Sequence, residues 1–233
     1  YEIVVSDWSS DVCSSDLPVK LLQRQNGAWH ERGVALQENT VLSTKNGVQT
    51  ENPAWAAIKN EVVSELFCWQ DRPSDLQPPY AVEGQHDYLT EVHPQAEGFI
   101  ATLAERLQRG AMLFIDYGFG EREYYHPQRY MGTLMCHQGH LADPDPLAAV
   151  GQKDITAHIN FTGIALAAQN AGADVLGYAT QGRFLINCGL LDLLQSASLP
   201  QRIQAQKLIY EHEMGELFKV IARSEEHTSE LQS

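Results

Sequence analysis

The chain has 233 residues, with 16 Lys plus Arg against 30 Asp plus Glu and a formal net charge of −14. That balance excludes a broad nucleic-acid surface, which needs clustered Lys and Arg to neutralise phosphates. No apolar run approaches the roughly 18 residues of a membrane-spanning helix, so no such helix is expected.

The two ends read differently from what lies between them. Residues 6–17, SDWSSDVCSSDL, have no basic residue, no helical or strand period, and a repeated Ser-Ser-Asp. The last eleven, RSEEHTSELQS, are similarly acidic and serine-rich. On composition alone they read as solvated tails. RSEEHTSELQS also resembles one reading frame of a high-throughput sequencing adapter, and DWSSDVCSSDL resembles a frame of its opposite strand. The expectation is that 1–17 and 223–233 are adapter-derived and lie outside the fold. The remaining segment, 18–222, is then cut off at its N-terminus, and its net charge is about −8. Its three cysteines, Cys68, Cys136 and Cys188, are widely spaced without a CxxC, which fits a reducing compartment and unpaired thiols.

VKLLQRQNGAWHERGVAL places Asn26-Gly27 between two strand-like runs, the composition of a tight hairpin turn. VLSTKNGVQT repeats the device at Asn46-Gly47. Trp55, Ile58, Val62 and Leu66 recur at helical spacing, and 71–80 is a Pro-rich loop. Residues 95–109 predict an amphipathic helix with Phe99, Ile100, Leu103 and Leu107 on one face and Gly110 as its stop. AMLFIDYGFG then reads as a central strand buried on both faces. Ligands of open α/β sheets sit beyond the carboxyl ends of such strands, which points to Asp116, Tyr117 and Gly118.

Residues 119–153 form a long excursion rich in Tyr, His, Pro and Gly, a length typical of functional loops or lids. A helix is expected from Asp154, its N-cap, to Gly172, its stop. A strand near 173–180, a helix pair near 183–209 and a last strand at 216–222 complete the pattern. Alternating strands and helices predict an α/β fold.

FIDYGFGEREYYHPQRYMGTLMCHQGH, GQKDITAHINFT, QGRFLINCG and EMGELFKVIA together resemble the MidA-like family of class I S-adenosylmethionine-dependent methyltransferases, from about Pro18 to Ala222. The resemblance implies the C-terminal part of a Rossmann-like sheet at 91–222, its fifth strand at 111–115 and its last strand antiparallel. It also implies an inserted hairpin and helix region at 18–90. It further implies S-adenosylmethionine as cofactor, a protein substrate with arginine as acceptor, no nucleic-acid or membrane partner, and a cytoplasmic, bacterial-type location. Mitochondrial members of the family assist assembly of respiratory complex I. The family's Gly-rich cofactor turn and its ribose-binding acid would precede residue 18, so no cofactor-binding residue is assigned and the chain alone is expected to be inactive. Gly118-Phe119-Gly120 is the local Gly-x-Gly, but a loop rather than a helix is expected after it.

Methyl transfer from a sulfonium needs an aligned nucleophile and exclusion of water. Asp116, Tyr117, His140 and His158 are the catalytic candidates. Asp116 either orients a guanidinium or bonds backbone amides at a strand end. Tyr117 either packs on substrate or belongs to the core. His140 and His158 are pocket residues or general bases. Gly118, Tyr125, Arg129, Gly132, Thr133, Asp154 and Thr156 are pocket candidates. Arg129 holds either a cofactor carboxylate or a structural one such as Asp154. Asp154 and His158, four apart, share a helix face and either point into the pocket or serve as cap and packed histidine. Asn160 stands where the family usually has Asp.

Two alternatives remain. One is a non-enzymatic interaction or assembly module using the His-rich excursion. The other is a metal hydrolase built on His137 and His140 with His158 or Asp143, although no metal is assigned. Cys136 beside His137 is either a nucleophile pair or a buried small residue. The sequence leaves the oligomeric state open.

Overall fold

A computed structural model of the chain describes Ser15 and residues 17–37, 66–107, 110–139 and 141–225. The expected turn at Asn46-Gly47, most of the expected helix around Trp55, and His140 lie outside the described residues. The chain begins with strands β1 (Lys20–Gln25), β2 (Ala28–Leu36), β3 (Phe67–Pro73) and β4 (Tyr88–Val92). Helix α1 (Pro94–Arg106), strand β5 (Gly110–Phe119) and one-turn helix α2 (Glu121–Tyr124) follow. Next come β6 (Met135–Gln138), β7 (Leu141–Asp143), β8 (Asp154–Thr156), β9 (Ile159–Asn160), α3 (Phe161–Asn170) and β10 (Asp174–Thr180). The last elements are α4 (Gln181–Asn187), α5 (Leu190–Gln195), α6 (Leu199–Ile209), α7 (Met214–Leu217) and β11 (Phe218–Glu225). They group into two compact units, one with β1–β4 and β6–β8, the other with β5, β9–β11 and the helices.

In the first unit, β1 and β2 form the expected hairpin. Asn26 and Gly27 both have positive φ, 50° and 81°, as a type I′ turn requires. The sheet order is β3-β2-β1-β4, which makes β1 central and buries Leu21 and Leu22. Arg24 is buried in the same strand because every part of it is used. Its guanidinium donates to the carbonyls of Val82 and His86 and lies 5.6 and 5.7 Å from the ring centroids of Trp29 and Tyr88. β3 is tied to β2 by Arg32, whose Nε and Nη2 each donate to Asp71 at 2.8 Å. The Pro-rich segment therefore starts as strand and becomes a loop only after Pro73. The excursion after β5 is not all loop either, since β7-β6-β8 make a small antiparallel sheet within it.

The second unit has sheet order β10-β11-β5-β9, with β11 antiparallel to both neighbours and β9 parallel to β5. Its core packs α1 and α3 together through Ala96, Ile100 and Ala104 on one side and Ile164 and Ala168 on the other. The expected stripe through Phe99 is one helical position off, and Phe99 is exposed. Small residues win that face because two helices can approach closely only where side chains are short. β5 is also not buried on both faces. Met112 and Phe114 pack on the core, while Leu113 and Ile115 on the opposite face are 48% and 44% exposed.

The helix expected from Asp154 begins later. Asp154 opens β8, and α3 starts after Asn160, whose side-chain oxygen accepts from the backbone N–H groups of Thr162 and Gly163. Asn160 is 2% exposed and is the helix cap, a role that Asn and Asp fill about equally well. Gly172, with φ 96°, ends the segment as expected. The expected helix pair is three helices, α4, α5 and α6. β11 continues past residue 222, pairing Arg223 with Met112 and Glu225 with Gly110. Ladder pairing uses main-chain groups and places no demand on side-chain identity.

The β5–β9 junction depends on Gly118. A Cβ there would collide with the main chain of Ile159, which cannot retreat without breaking the parallel pair. Gly118→Ala is expected to cost about 3 kcal/mol or more, and Asn160→Ala about 1 kcal/mol through the lost cap. Urea midpoints of the two variants measure both. Equal midpoints would overturn this ranking.

Candidate functional site

Five of the predicted residues, Asp116, Tyr117, Gly118, Tyr125 and His158, lie in one unit, and all but Tyr125 meet at the carboxyl end of β5. Asp116 is 1% exposed. Its Oδ2 accepts from the backbone N–H of Ser15 at 2.9 Å, and its Oδ1 accepts from the N–H of Tyr117 at 2.8 Å. Of its two sequence readings, the strand-end acid bonding backbone amides is the arrangement observed. Tyr117 points to the other face, 38% exposed, with Phe218 at 4.0 Å between ring centroids. The His158 ring stacks on Tyr117 at 6.2 Å with a 13° interplanar angle and lies 5.2 Å from Phe119. Tyr117, Phe119, His158 and Phe218 thus form an aromatic cluster where the strand ends.

Sequence reasoning missed a second group in this unit. His93 stands at the N-cap position of α1 without a side-chain capping bond and is buried, and its Nε2 lies 3.0 Å from the Tyr124 hydroxyl. Its Nδ1 is buried without a hydrogen-bond partner among the described residues. Burial pulls the imidazole pKa down to about 4, because the charged form would have to shed its water. Tyr125 is buried in a T-shaped contact with Tyr124 at 5.0 Å, so it extends this group. The sequence signal was a histidine directly before Pro94 at the start of a helix, but its partner lies 31 residues away.

The other predicted residues, Arg129, Gly132, Thr133, Asp154 and Thr156, belong to the other unit. Asp154 and His158 therefore share no helix face. Asp154 is exposed on β8 opposite His137 of β6, and Thr156 sits opposite Met135. Gly132 and Thr133 are organised by Glu91, which no local pattern in the sequence marks. The Glu91 carboxylate is fully buried and accepts from the N–H groups of Thr133 and Leu134 at 2.8 and 3.0 Å, and from the Thr133 hydroxyl. Gly132 has φ 72°, and a Cβ on it would lie 2.5 Å from Glu91 Oε1. The pKa of Tyr88, on the same strand as Glu91, is pushed up to about 12 by burial and by that carboxylate, with Arg129 and Arg24 opposing the rise.

The nucleophile and metal readings meet specific obstacles. Cys136 and His137 are successive strand residues on opposite faces, Cys136 buried and His137 exposed, and burial raises the thiol pKa. Asp143 is bonded by Lys153 Nζ at 2.8 Å, which lowers its pKa. Among the described residues no three His, Cys, Asp or Glu side chains gather as a metal-binding group.

The chain matches a family described as "Putative S-adenosyl-L-methionine-dependent methyltransferase" over residues 15–179. Two solved structures from Burkholderia thailandensis share 40% sequence identity with it. One, described as a likely methyl transferase, was solved bound to S-adenosyl-homocysteine; it has a TM-score of 0.75 and covers 91% of this chain and 51% of its own. The other, a native structure of an uncharacterised protein of the same superfamily, has a TM-score of 0.74 and covers 89% and 52%. The chain thus spans about half the length of these proteins. No curated protein matches it. Among the described residues Gly118-Phe119-Gly120 does not fit a nucleoside cofactor, because the space beside Gly118 is filled by the Ile159 main chain.

The buried His93 predicts a pH dependence. Its folded-state pKa, about 4, lies below the ordinary 6.5, so the unfolded state takes up the proton first. The stabilising preference for neutral His93 is complete above pH 6.5 and is lost as the pH falls towards 4. The loss amounts to about 3 kcal/mol at most. His93→Gln should remove this acid-side loss. Urea midpoints between pH 7 and 4 test it, and parallel curves for both proteins would refute it. Gly132→Ala is expected to cost about 2 kcal/mol from the strained φ and the crowding at Glu91. A thermal melt unchanged by the substitution would contradict that.

Proposed function

Since the chain belongs to a family of S-adenosyl-L-methionine-dependent methyltransferases, we propose that it is part of a cytoplasmic enzyme that methylates a protein side chain, with arginine as the acceptor. The observation that carries this reading is 40% identity over 91% of the chain to a protein solved with S-adenosyl-homocysteine. The arginine acceptor rests on the MidA-like resemblance. Tyr117 and His158 form the acceptor-side surface in this reading, with an apolar and partly shielded character suited to excluding water. Asp116 fixes the strand end beneath them. The cofactor cradle is supplied by chain beyond the described residues, in keeping with a length about half that of the relatives. No helix among the described residues is long and apolar enough to cross a membrane.

Calorimetry with S-adenosyl-homocysteine tests the division of labour. The present chain is expected to give no binding heat, and the longer parent protein is expected to bind. Micromolar binding by the present chain would overturn the assignment of the cradle. In the parent, Tyr117→Ala and His158→Ala should each lower methyl transfer to an arginine peptide by about 10- to 100-fold with cofactor affinity unchanged. Unchanged turnover in both would remove these two residues from the acceptor side.

A further inference from the structure

The helices between β10 and β11 expose more apolar surface than a finished surface carries. α5 has the sequence LLDLLQ and not one buried residue. α6 buries only Ala205, while Leu199 and Ile203, one turn apart, are 71% and 51% exposed. Leu191 and Leu193 of α5 are 51% and 70% exposed. Between the two helices lies a groove of about 430 Å³, lined by Leu191, Leu194, Arg202, Gln206, Ile209 and Tyr210. A helix that is apolar on several sides is ordinarily covered on several sides, and contiguous exposed apolar surface ordinarily marks an interface.

We propose that α5 and α6 form the contact through which two copies of this chain pair about a two-fold axis. The charge pattern selects a second copy. The chain carries −14 overall, so most of its surface repels another copy of itself. The segment Leu190–Ile209 instead has one acid, Asp192, and two bases, Arg202 and Lys207. Arg202 is held across the turn between the helices by donating Nε to Ala197 O at 3.0 Å and Nη2 to Gln195 O at 2.9 Å. Its Nη1 has no acceptor among the described residues. Among the described residues Asp192 on α5 accepts only a long 3.3 Å bond from Gln195. A two-fold arrangement lays α5 of each copy, with its protruding Leu193, along the α5–α6 groove of the other. Asp192 of one copy then faces Arg202 of the other, and the pairing occurs twice. The leucine-rich helix that the groove needs is already present in the chain. This inference is independent of the methyltransferase reading.

Sedimentation velocity over a dilution series tests it. The chain is expected to show a reversible monomer–dimer equilibrium. Ile203→Asp, at an exposed position, is expected to weaken the dimer at least about tenfold with an unchanged melting curve. Asp192→Lys and Arg202→Glu are each expected to weaken it, and their mixture is expected to restore a one-to-one heterodimer. If Arg202→Glu melts without cooperativity, Lys207→Glu replaces it in the mixture. The proposal is overturned by a monomer at every concentration, by a dimer insensitive to Ile203→Asp, or by failure of the mixture to pair. It is also overturned if Ile115→Lys, on the exposed face of β5, dissolves the dimer in place of Ile203→Asp.

Discussion

Gly118 has no side chain, and the space a methyl group would occupy is filled by the backbone of Ile159. That approach lets β9 join β5 in parallel for two residues, and much of the second unit follows from it. Pairing Phe119 with Asn160 sets the point at which α3 begins and places the Asn160 amide over its first N–H groups. It also fixes His158, one residue before the pair, against Tyr117 and Phe119. Helix start, core register and aromatic cluster are thus consequences of one close main-chain contact. A larger residue at 118 would disturb all three together, because they share the same short strand.

Two buried carboxylates, one of them a catalytic candidate from the sequence and the other unmarked there, hold main chain. Asp116 and Glu91 are both buried carboxylates, and both accept hydrogen bonds from backbone N–H groups. Such bonds compensate the burial of a polar side chain, so a carboxylate can serve as a fixed clasp for a turn. Asn160 does the same for a helix end without a charge. What the carboxyl end of β5 presents is a packed cluster of rings, Tyr117, Phe119, His158 and Phe218. That suits a reaction whose demands are alignment and exclusion of water more than proton transfer.

The parts of this arrangement that were legible in the sequence are those decided locally. Asn26-Gly27 and Gly172 announce backbone conformations that few other residues tolerate, and each stands where it was expected. The strand before Asp116 and the antiparallel last strand were likewise evident, the one from its apolar run and the other from the family resemblance. The failures share one cause. The buried stripe of α1 runs through alanines because of α3, some 60 residues later in the chain. Asp154 reads as a helix cap until β6 pairs with it. Glu91 and His93 carry no local mark at all, since each is defined by partners about 30 to 40 residues away. Propensity and period report what a segment prefers alone; tertiary partners decide between near-equal local choices.

The same distinction applies to hydrophobic residues. LLDLLQ in α5 counts as core material by composition, yet the fold leaves every one of its residues unburied. Apolar content measures only the demand for cover, and a single chain meets that demand only where its own elements can reach. α5 is joined to α6 by a short turn that Arg202 fastens on both sides, which holds the two helices splayed enough to keep a groove between them. The turn that stabilises the helix pair thus flanks an apolar face that the described residues leave uncovered, the face proposed to pair with a second copy.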